Sequence, residues 1–452
     1  MAKKVKEIYI DDKPEQMLLP VDTQPYVVPD NWCWVTVNGI NEYRSKNINP
    51  MDKGDTVFEL YSVPSYDENY PEILSGSEIG SSKQLVQKND VLICKINPKI
   101  NRVWLVKDYE KGQLLASSEW IVVRNEVINS KYLMYYFRSQ TFREYLLSNV
   151  SGVGGSLMRA QPKYVETYPI PLPPNAEQQR IVEQIEQLFE MLDKAADIIS
   201  DILDISNKRK HTILNKALSG ELTSGWRNRN SINLESWQER TLESVCFSIY
   251  DGDHMPPPKS ETGIHFLVIS NINEGYLSFD NTRYVPEEYY NKLSETRKPR
   301  LGDLLYSTVG SYGIPVIVDD ERPFCFQRHL ALLKPKCVNT NFLWYVLQSK
   351  MMYQKATEIA TGTAQLTVPI QGLRKLSFKM PILDEQIKIV EIMDAVFDAE
   401  NKIKDEINDA IEAISLMKKS ILAKAFRGEL STTDLSEPSY MDLLKSILST
   451  EI

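Results

Sequence analysis

Apolar residues recur at steps of four and three from Ile181 through Ile185, Leu188, Leu192, Ala195 and Ile199 to Ile202, the spacing of a helix face that meets a partner helix. A second such stripe runs through Ile389, Met393, Val396, Ile403, Ile407, Ala410, Ile414, Met417 and Ile421, interrupted by Glu400. Each stripe follows a proline-rich stop, Pro169 to Pro174 or Pro381, and ends at Gly220 or Gly428, where C-cap chemistry is expected. A helix of about 41 residues spans roughly 60 Å, too long for one compact domain to cover. The pattern therefore predicts two long helices that pair antiparallel with each other; the alternative is that each packs only on its own domain. Upstream of each helix, short strand patterns (Val91 to Ile96, Leu304 to Ser307) and helical periodicity (Lys131 to Leu147, Asn341 to Ile359) predict mixed globular segments.

The chain repeats itself. Glu177 to Leu222 aligns without a gap on Glu385 to Leu430. Glu177, Gln178, Ile181, Val182, Glu183 and Phe189 recur as Glu385, Gln386, Ile389, Val390, Glu391 and Phe397, and Gly220-Glu221-Leu222 recurs as Gly428-Glu429-Leu430. Upstream the match continues with drifting offsets: Tyr132, Leu133 and Ser139 against Phe342, Leu343 and Ser349, and Asp90 against Asp303. Such drift means loop insertions, and Trp32 and Trp237 mark the two unit starts. The fold class is α+β: two globular mixed segments alternating with two long helices that form an antiparallel coiled coil, an internal pseudo-two-fold repeat. Its parts are an extension (residues 1–25), a first globular domain (26–170), a first long helix (171–222), a polar linker (223–236), a second globular domain (237–380), a second long helix (381–430) and a frayed acidic tail (431–452).

Charge changes the picture only when counted by segment. The 452 residues carry a net charge of −9, yet residues 30–170 hold 16 basic and 16 acidic side chains, and residues 235–380 hold the same numbers. The acidic excess is mostly C-terminal, 15 acids against 8 bases over residues 381–452, so both globular segments could present basic faces to phosphate. No signal-peptide pattern or transmembrane-length apolar run is present, which predicts a cytoplasmic protein with no membrane contact. The five cysteines Cys33, Cys94, Cys246, Cys325 and Cys337 form no Cys-x-x-Cys pair and read as buried thiols.

Catalytic signatures are missing: there is no Walker A, no methyltransferase Asn-Pro-Pro-Tyr loop and no His-Glu-x-x-His. Asp319-Asp320-Glu321 reads as a solvated hairpin, and Asp251-Gly252-Asp253-His254 as a polar loop rather than a metal or base site. No catalytic residue, metal site or cofactor is assigned to the chain itself.

Pro-Leu-Pro-Pro-x-x-Glu-Gln-Gln-Arg-Ile-Val (Pro171 to Val182), its divergent copy from Pro381 to Val390, and the helix-terminal Ala217 to Leu222 and Ala425 to Leu430 resemble the specificity subunit of type I restriction-modification systems. The resemblance covers about residues 26 to 430. It implies that each globular segment is a target-recognition domain reading one half of a split site in double-stranded DNA. It further implies that the helices space these domains and dock two methyltransferase subunits. Adenine methylation with S-adenosylmethionine, and ATP- and Mg-dependent translocation and cleavage, would belong to partner chains; whether a restriction subunit joins is left open. A coiled-coil adaptor without DNA affinity is the competing reading, and an enzyme with degenerate motifs a third. A roughly 60 Å helix bounds the gap between half-sites at about 17 base pairs.

In the second domain, Leu301 to Gly313 resembles the strand and glycine-containing loop of these proteins, making Ser307, Thr308, Ser311 and Tyr312 candidate DNA contacts, with Gln327 and Arg328 on the next strand. The first domain departs from that pattern: Lys95, Asn97, Lys99 and Arg102 occupy the equivalent loop, and Ser117-Ser118 replaces Gln327-Arg328. The loops before the long helices add Ser151, Gly152, Gly155, Ser156 and Arg159 in the first copy, and Thr361, Gly362, Thr363 and Gln365 in the second. Glycine permits close backbone approach, hydroxyls and amides donate to phosphate, and Gln or Arg can read base edges. For partner docking the repeated polar positions are Glu177, Gln178 and Arg180 with Glu385, Gln386 and Lys388, although helix N-terminal charge and capping equally accounts for the two glutamates.

Overall fold

The computed structural model describes residues 17–152, 158–252, 257–363, 365–430, 432–434 and 440–449. The chain divides into two compact units, residues 1–198 with 409–452, and residues 199–408. Each unit holds one globular segment, the first half of the long helix that follows it, and the second half of the other long helix.

In the first unit the strand Val91–Cys94 is apolar at every position and buried throughout, because it lies centrally in an antiparallel sheet between Val103–Leu105 and Trp120–Val123. A second, five-stranded sheet contains a parallel pair, Val57–Tyr61 with Gln113–Ala116. The helical stretch predicted as one element breaks at Ser139, whose hydroxyl accepts from the Phe142 amide and starts a new helix, giving Ser130–Arg138 and Gln140–Ser148. Cys33–Thr36 pairs antiparallel with Pro169–Leu172, so the segment's start is tied to its end beside the helix. Prolines are tolerated there because a two-stranded ribbon has outer edges that need no amide donor.

The second unit repeats this plan. Leu304–Ser307 is the buried strand, flanked by Pro315–Ile317 and Leu330–Pro335, with Cys246–Asp251 added beyond. Ile264–Leu267 and Phe324–Phe326 form a parallel pair. Ser349 breaks Thr340–Gln348 from Lys350–Ile359 as Ser139 does in the first unit, and Gln238–Thr241 pairs with Ser377–Met380 to tie start to end.

The long helices are Asn175–Leu218 and Leu383–Ala425, 44 and 43 residues. Within the first unit Lys418 forms an ion pair with Asp193 and lies 5.4 Å from the centre of the Phe189 ring. Within the second, Lys210 donates to Asn401 at 3.2 Å and lies 4.5 Å from the centre of the Phe397 ring. Lys210 and Lys418, Phe189 and Phe397, and Asp193 and Asn401 are equivalent positions of the repeat, so the contacts are reciprocal, as an antiparallel pair of like helices requires. Two positions assigned to the stripes, Ile202 and Met417, are exposed instead. Beyond Ile199 the seam passes through Leu203 and Ser206, since a helix of 3.6 residues per turn drifts against a strict 3.5 spacing. Glu400 is not an interruption but a member of the seam: it is 4% exposed and accepts hydrogen bonds from Ser206 and, at 2.5 Å, from Arg209.

The polar linker and the tail also differ from expectation. Within 223–236 lies the helix Ser224–Arg229, whose Arg227 is buried. Within 431–452 lies the helix Tyr440–Ser449, which buries Leu443, Leu444 and Ile447 in the first unit's main core. Four of the cysteines are buried, and burial pushes the Cys33 thiol up to about 12; Cys337 is exposed.

Candidate nucleic-acid interface

Three loops meet at one end of each globular segment, and the same three backbone hydrogen bonds hold them. In the first unit the Lys95 amide donates to the Glu119 carbonyl (2.9 Å), Ala160 to Lys95 (2.9 Å) and Asn97 to Met158 (2.9 Å). In the second, Thr308 donates to His329 (2.9 Å), Val368 to Thr308 (2.8 Å) and Gly310 to Leu366 (3.0 Å). The loop after the buried strand, the turn before the next long strand and the segment leading toward the long helix are thus brought together twice. The correspondence pairs Lys95 with Thr308, Glu119 with His329, and Ala160 with Val368. The backbone is left-handed at Asn97 (φ 45°) and at Gly310 (φ 68°), which suits Asn and Gly.

The side chains on this shared frame differ. Lys99 is exposed, and Lys95, Asn97 and Arg102 are half-buried. Arg143, which the sequence did not single out, donates to the Lys99 carbonyl and adds a cation. Ser151 and Arg159 face each other on a short hairpin, Val150–Ser151 with Arg159–Ala160, and the Arg159 guanidinium forms a 2.6 Å ion pair with Glu119. Gly152 is exposed, while Gly155 and Ser156 lie outside the described residues. In the second unit Ser311, Arg328, Thr361, Gly362, Thr363 and Gln365 are exposed and Gln327 is half-buried. The Gln365 side chain packs over Gly310, where a Cβ would come within 2.8 Å of its amide nitrogen. The first loop end is cationic, the second largely amide and hydroxyl.

Three candidates are removed from the surface. Ser307 is fully buried, its hydroxyl donating to the Ser311 carbonyl (2.8 Å) and accepting from the Ile314 amide (2.9 Å). Thr308 is buried and donates to the His329 carbonyl at 2.9 Å. Tyr312 is buried, donates to Thr357 at 3.0 Å and stacks on Tyr353 at 5.4 Å between ring centres. These side chains shape the loop rather than touch a ligand, whereas Tyr353 offers an exposed ring that sequence reasoning missed.

The proposed docking positions are corrected more sharply. Glu177, Gln178, Glu385 and Gln386 are all buried. Glu177 accepts from the Trp32 indole (2.9 Å), Asn31 (3.1 Å) and Thr433 (2.7 Å), and Glu385 from the Trp237 indole (2.9 Å), Thr223 (2.6 Å) and Arg227 (2.5 Å). Gln178 bridges the Asn129 amide (2.9 Å) and the Pro173 carbonyl (2.9 Å), and Gln386 bridges Asn339 (2.8 Å) and Pro381 (2.8 Å) in the same way. Their repetition reflects a repeated internal joint. Of the six positions, Arg180 is half-buried and bonded to the Thr432 carbonyl (3.0 Å), and Lys388 is half-buried and paired with Glu391 at 2.8 Å.

Two like units, each with a three-loop end at one end of its buried strand, joined to two long paired helices, define a class of internally repeated proteins. Residues 29–209 and 235–413 match the type I restriction modification DNA specificity domain, and the chain belongs to that family as a specificity subunit. It is 26% identical over 281 residues to the type I restriction enzyme EcoBI specificity subunit of Escherichia coli, a match spanning 58% of each chain. It is 23% identical over 425 residues to the MjaVIII specificity subunit of Methanocaldococcus jannaschii, covering 90% of this chain and 95% of that one. Among solved structures, a chain from a study of complex assembly and conformational transition of the type I R-M system aligns with a TM-score of 0.73 at 20% identity, covering 90% of this chain and 100% of that one. The HsdS subunit from Thermoanaerobacter tengcongensis aligns with a TM-score of 0.55 at 21% identity over 90% of this chain and 99% of that one, so these share the fold. Among the described residues no helix is long and apolar enough to cross a membrane.

Proposed function

We propose that each three-loop end reads one half of a bipartite site in double-stranded DNA, and that the paired helices set the gap between the halves and dock two methyltransferase subunits. The observation that carries this reading is the recurrence of one loop frame with different side chains: Lys95, Asn97, Arg102 and Arg159 in one unit, Gln327, Arg328, Thr363 and Gln365 in the other. A common frame positions the protein on the phosphate backbone, and variable side chains on it give different half-site letters. The chain contributes recognition, while methyl transfer from S-adenosylmethionine, and any ATP- and Mg-dependent cleavage by a restriction subunit, are the work of partners in the cytoplasm. Deleting the gene and sequencing the genome for methylated adenine tests this, together with the mass of the complex captured on this chain. Loss of one split motif and two methyltransferase chains per copy are expected; an unchanged methylome and a complex without methyltransferase would leave a coiled-coil adaptor.

A further inference from the structure

We propose that Arg159, held by Glu119, reads a guanine in the half-site addressed by the first unit, an inference that rests on the proposed DNA-reading function. Arg159 lies at the loop end on the strand Arg159–Ala160, 52% exposed, and one guanidinium nitrogen is 2.6 Å from the carboxylate of Glu119, itself 26% exposed. That pairing decides between the two targets an arginine can take on DNA. A phosphate approaching Arg159 would bring its negative charge against Glu119, and the repulsion would offset much of the attraction. The major-groove edge of guanine presents two acceptors, N7 and O6, without net charge, and a guanidinium is a planar fork with further donors to give them. Glu119 is then a positioning residue: it fixes the plane of the fork before DNA arrives. The exposed Lys99, which forms no ion pair among the described residues, suits phosphate instead. The second unit has no arginine at the matching place. Its equivalents are His329 and Thr367, and the Thr367 backbone is bonded in both directions to Thr361 at 2.8 Å. The first half-site should therefore contain a guanine whose recognition has no counterpart at the matching place in the second.

The test uses the full complex in cells, read by methylation-aware sequencing of the native protein and of R159A, R159K, E119A and E119Q. R159A is expected to let other bases replace one guanine in one half-site, its discrimination falling roughly 5- to 150-fold, while the other half-site is unchanged. R159K should relax the same letter, because an ammonium lacks the fork. E119A should relax it less, and E119Q, which keeps an oxygen acceptor, should restore most of the discrimination. If R159A lowers methylation evenly at all sites without relaxing any letter, Arg159 is a phosphate contact and the proposal fails. A measurement on the native complex does not depend on the variants folding: each guanine of the two halves is replaced in turn by 7-deazaguanine, which lacks N7, in a synthetic duplex. Binding should weaken at one guanine in the half that R159A relaxes or, if that variant does not fold, in the half whose letters change when residues 30–170 are exchanged. Undiminished binding at every guanine of that half overturns the proposal. An unchanged methylome on gene deletion is a separate outcome, which removes the DNA-reading function itself.

Discussion

Replacing Glu385 by alanine should damage the second unit more than the equivalent Glu177→Ala damages the first. Both carboxylates are buried and both receive a tryptophan indole at 2.9 Å, Trp237 and Trp32. Among the described residues only Glu385 also neutralises a cation, the Arg227 guanidinium, 5% exposed and 2.5 Å away. Glu385→Ala strands that charge, and removing one partner of a buried ion pair costs about 3–5 kcal/mol. Glu177→Ala leaves neutral donors on Trp32, Asn31 and Thr433, with a cost of about 1–3 kcal/mol. Replacing both members of the charged pair, Arg227→Met with Glu385→Ala, should recover a large part of the loss, since no buried charge remains. With two units a single unfolding midpoint is a poor readout. Native-state hydrogen exchange of the peptides around Gly220–Trp237 and around Pro29–Trp32 measures each joint separately. Equal losses from the two alanine variants, or a double variant as weak as Glu385→Ala alone, would show that the charge of Arg227 is not what makes the second joint sensitive.

Gly220→Ala and Gly428→Ala should each weaken the joint they sit in by about 1–2 kcal/mol from the left-handed backbone alone (φ 78° and 73°), and further because a Cβ meets Leu234 at 2.6 Å or overlaps the Pro29 ring; hydrogen exchange of the helix ends reads both. Glu400 is held below its ordinary value of 4.5 by the hydrogen bond from Arg209, so its contribution is fully present above that value and is lost as pH falls through the lower folded value. An acid titration of helix pairing should therefore show a loss of stability as pH falls below 4.5 that Glu400→Gln removes, and its persistence in the variant would assign it elsewhere. Exchanging residues 30–170 for another domain of the family should change one half-site only, by methylation-aware sequencing; a simultaneous change in both halves would rule out independent readers. Lengthening both long helices should alter the gap between the half-sites and leave their letters as they were, read in the same way.

The loop candidates were legible in part because the repeat carried them. Offsets that drift along the chain match Lys95 to Thr308 and Ser117-Ser118 to Gln327-Arg328, and the backbone hydrogen bonds fall on those pairs. Glu119, one residue beyond, was within reach of the same reasoning as the equivalent of His329. Arg143 was not, because its approach to Lys99 joins residues 44 apart through the packing of a helix on a loop. Likewise nothing local distinguishes Ser307 and Thr308, which turn inward, from Ser311, which does not; only the neighbouring Ser311 and His329 carbonyls decide which hydroxyl is consumed.

The sequence by itself determined the two-unit plan, the long helices and their antiparallel pairing, because periodicity and repetition are properties of the chain alone and an uncovered 60 Å apolar stripe must find a partner. Tertiary structure decided what each repeated polar residue is for. Glu177 and Glu385 look like surface charges at helix starts, yet tryptophans 145 and 148 residues earlier bury them as the acceptors of a joint. It likewise turned Glu400 from a fault in the seam into a hydrogen-bonded member, and placed Arg227 and the helix Tyr440–Ser449 in segments that read as linker and tail. Burial and partnership depend on contacts distant along the chain, and one sequence does not record them.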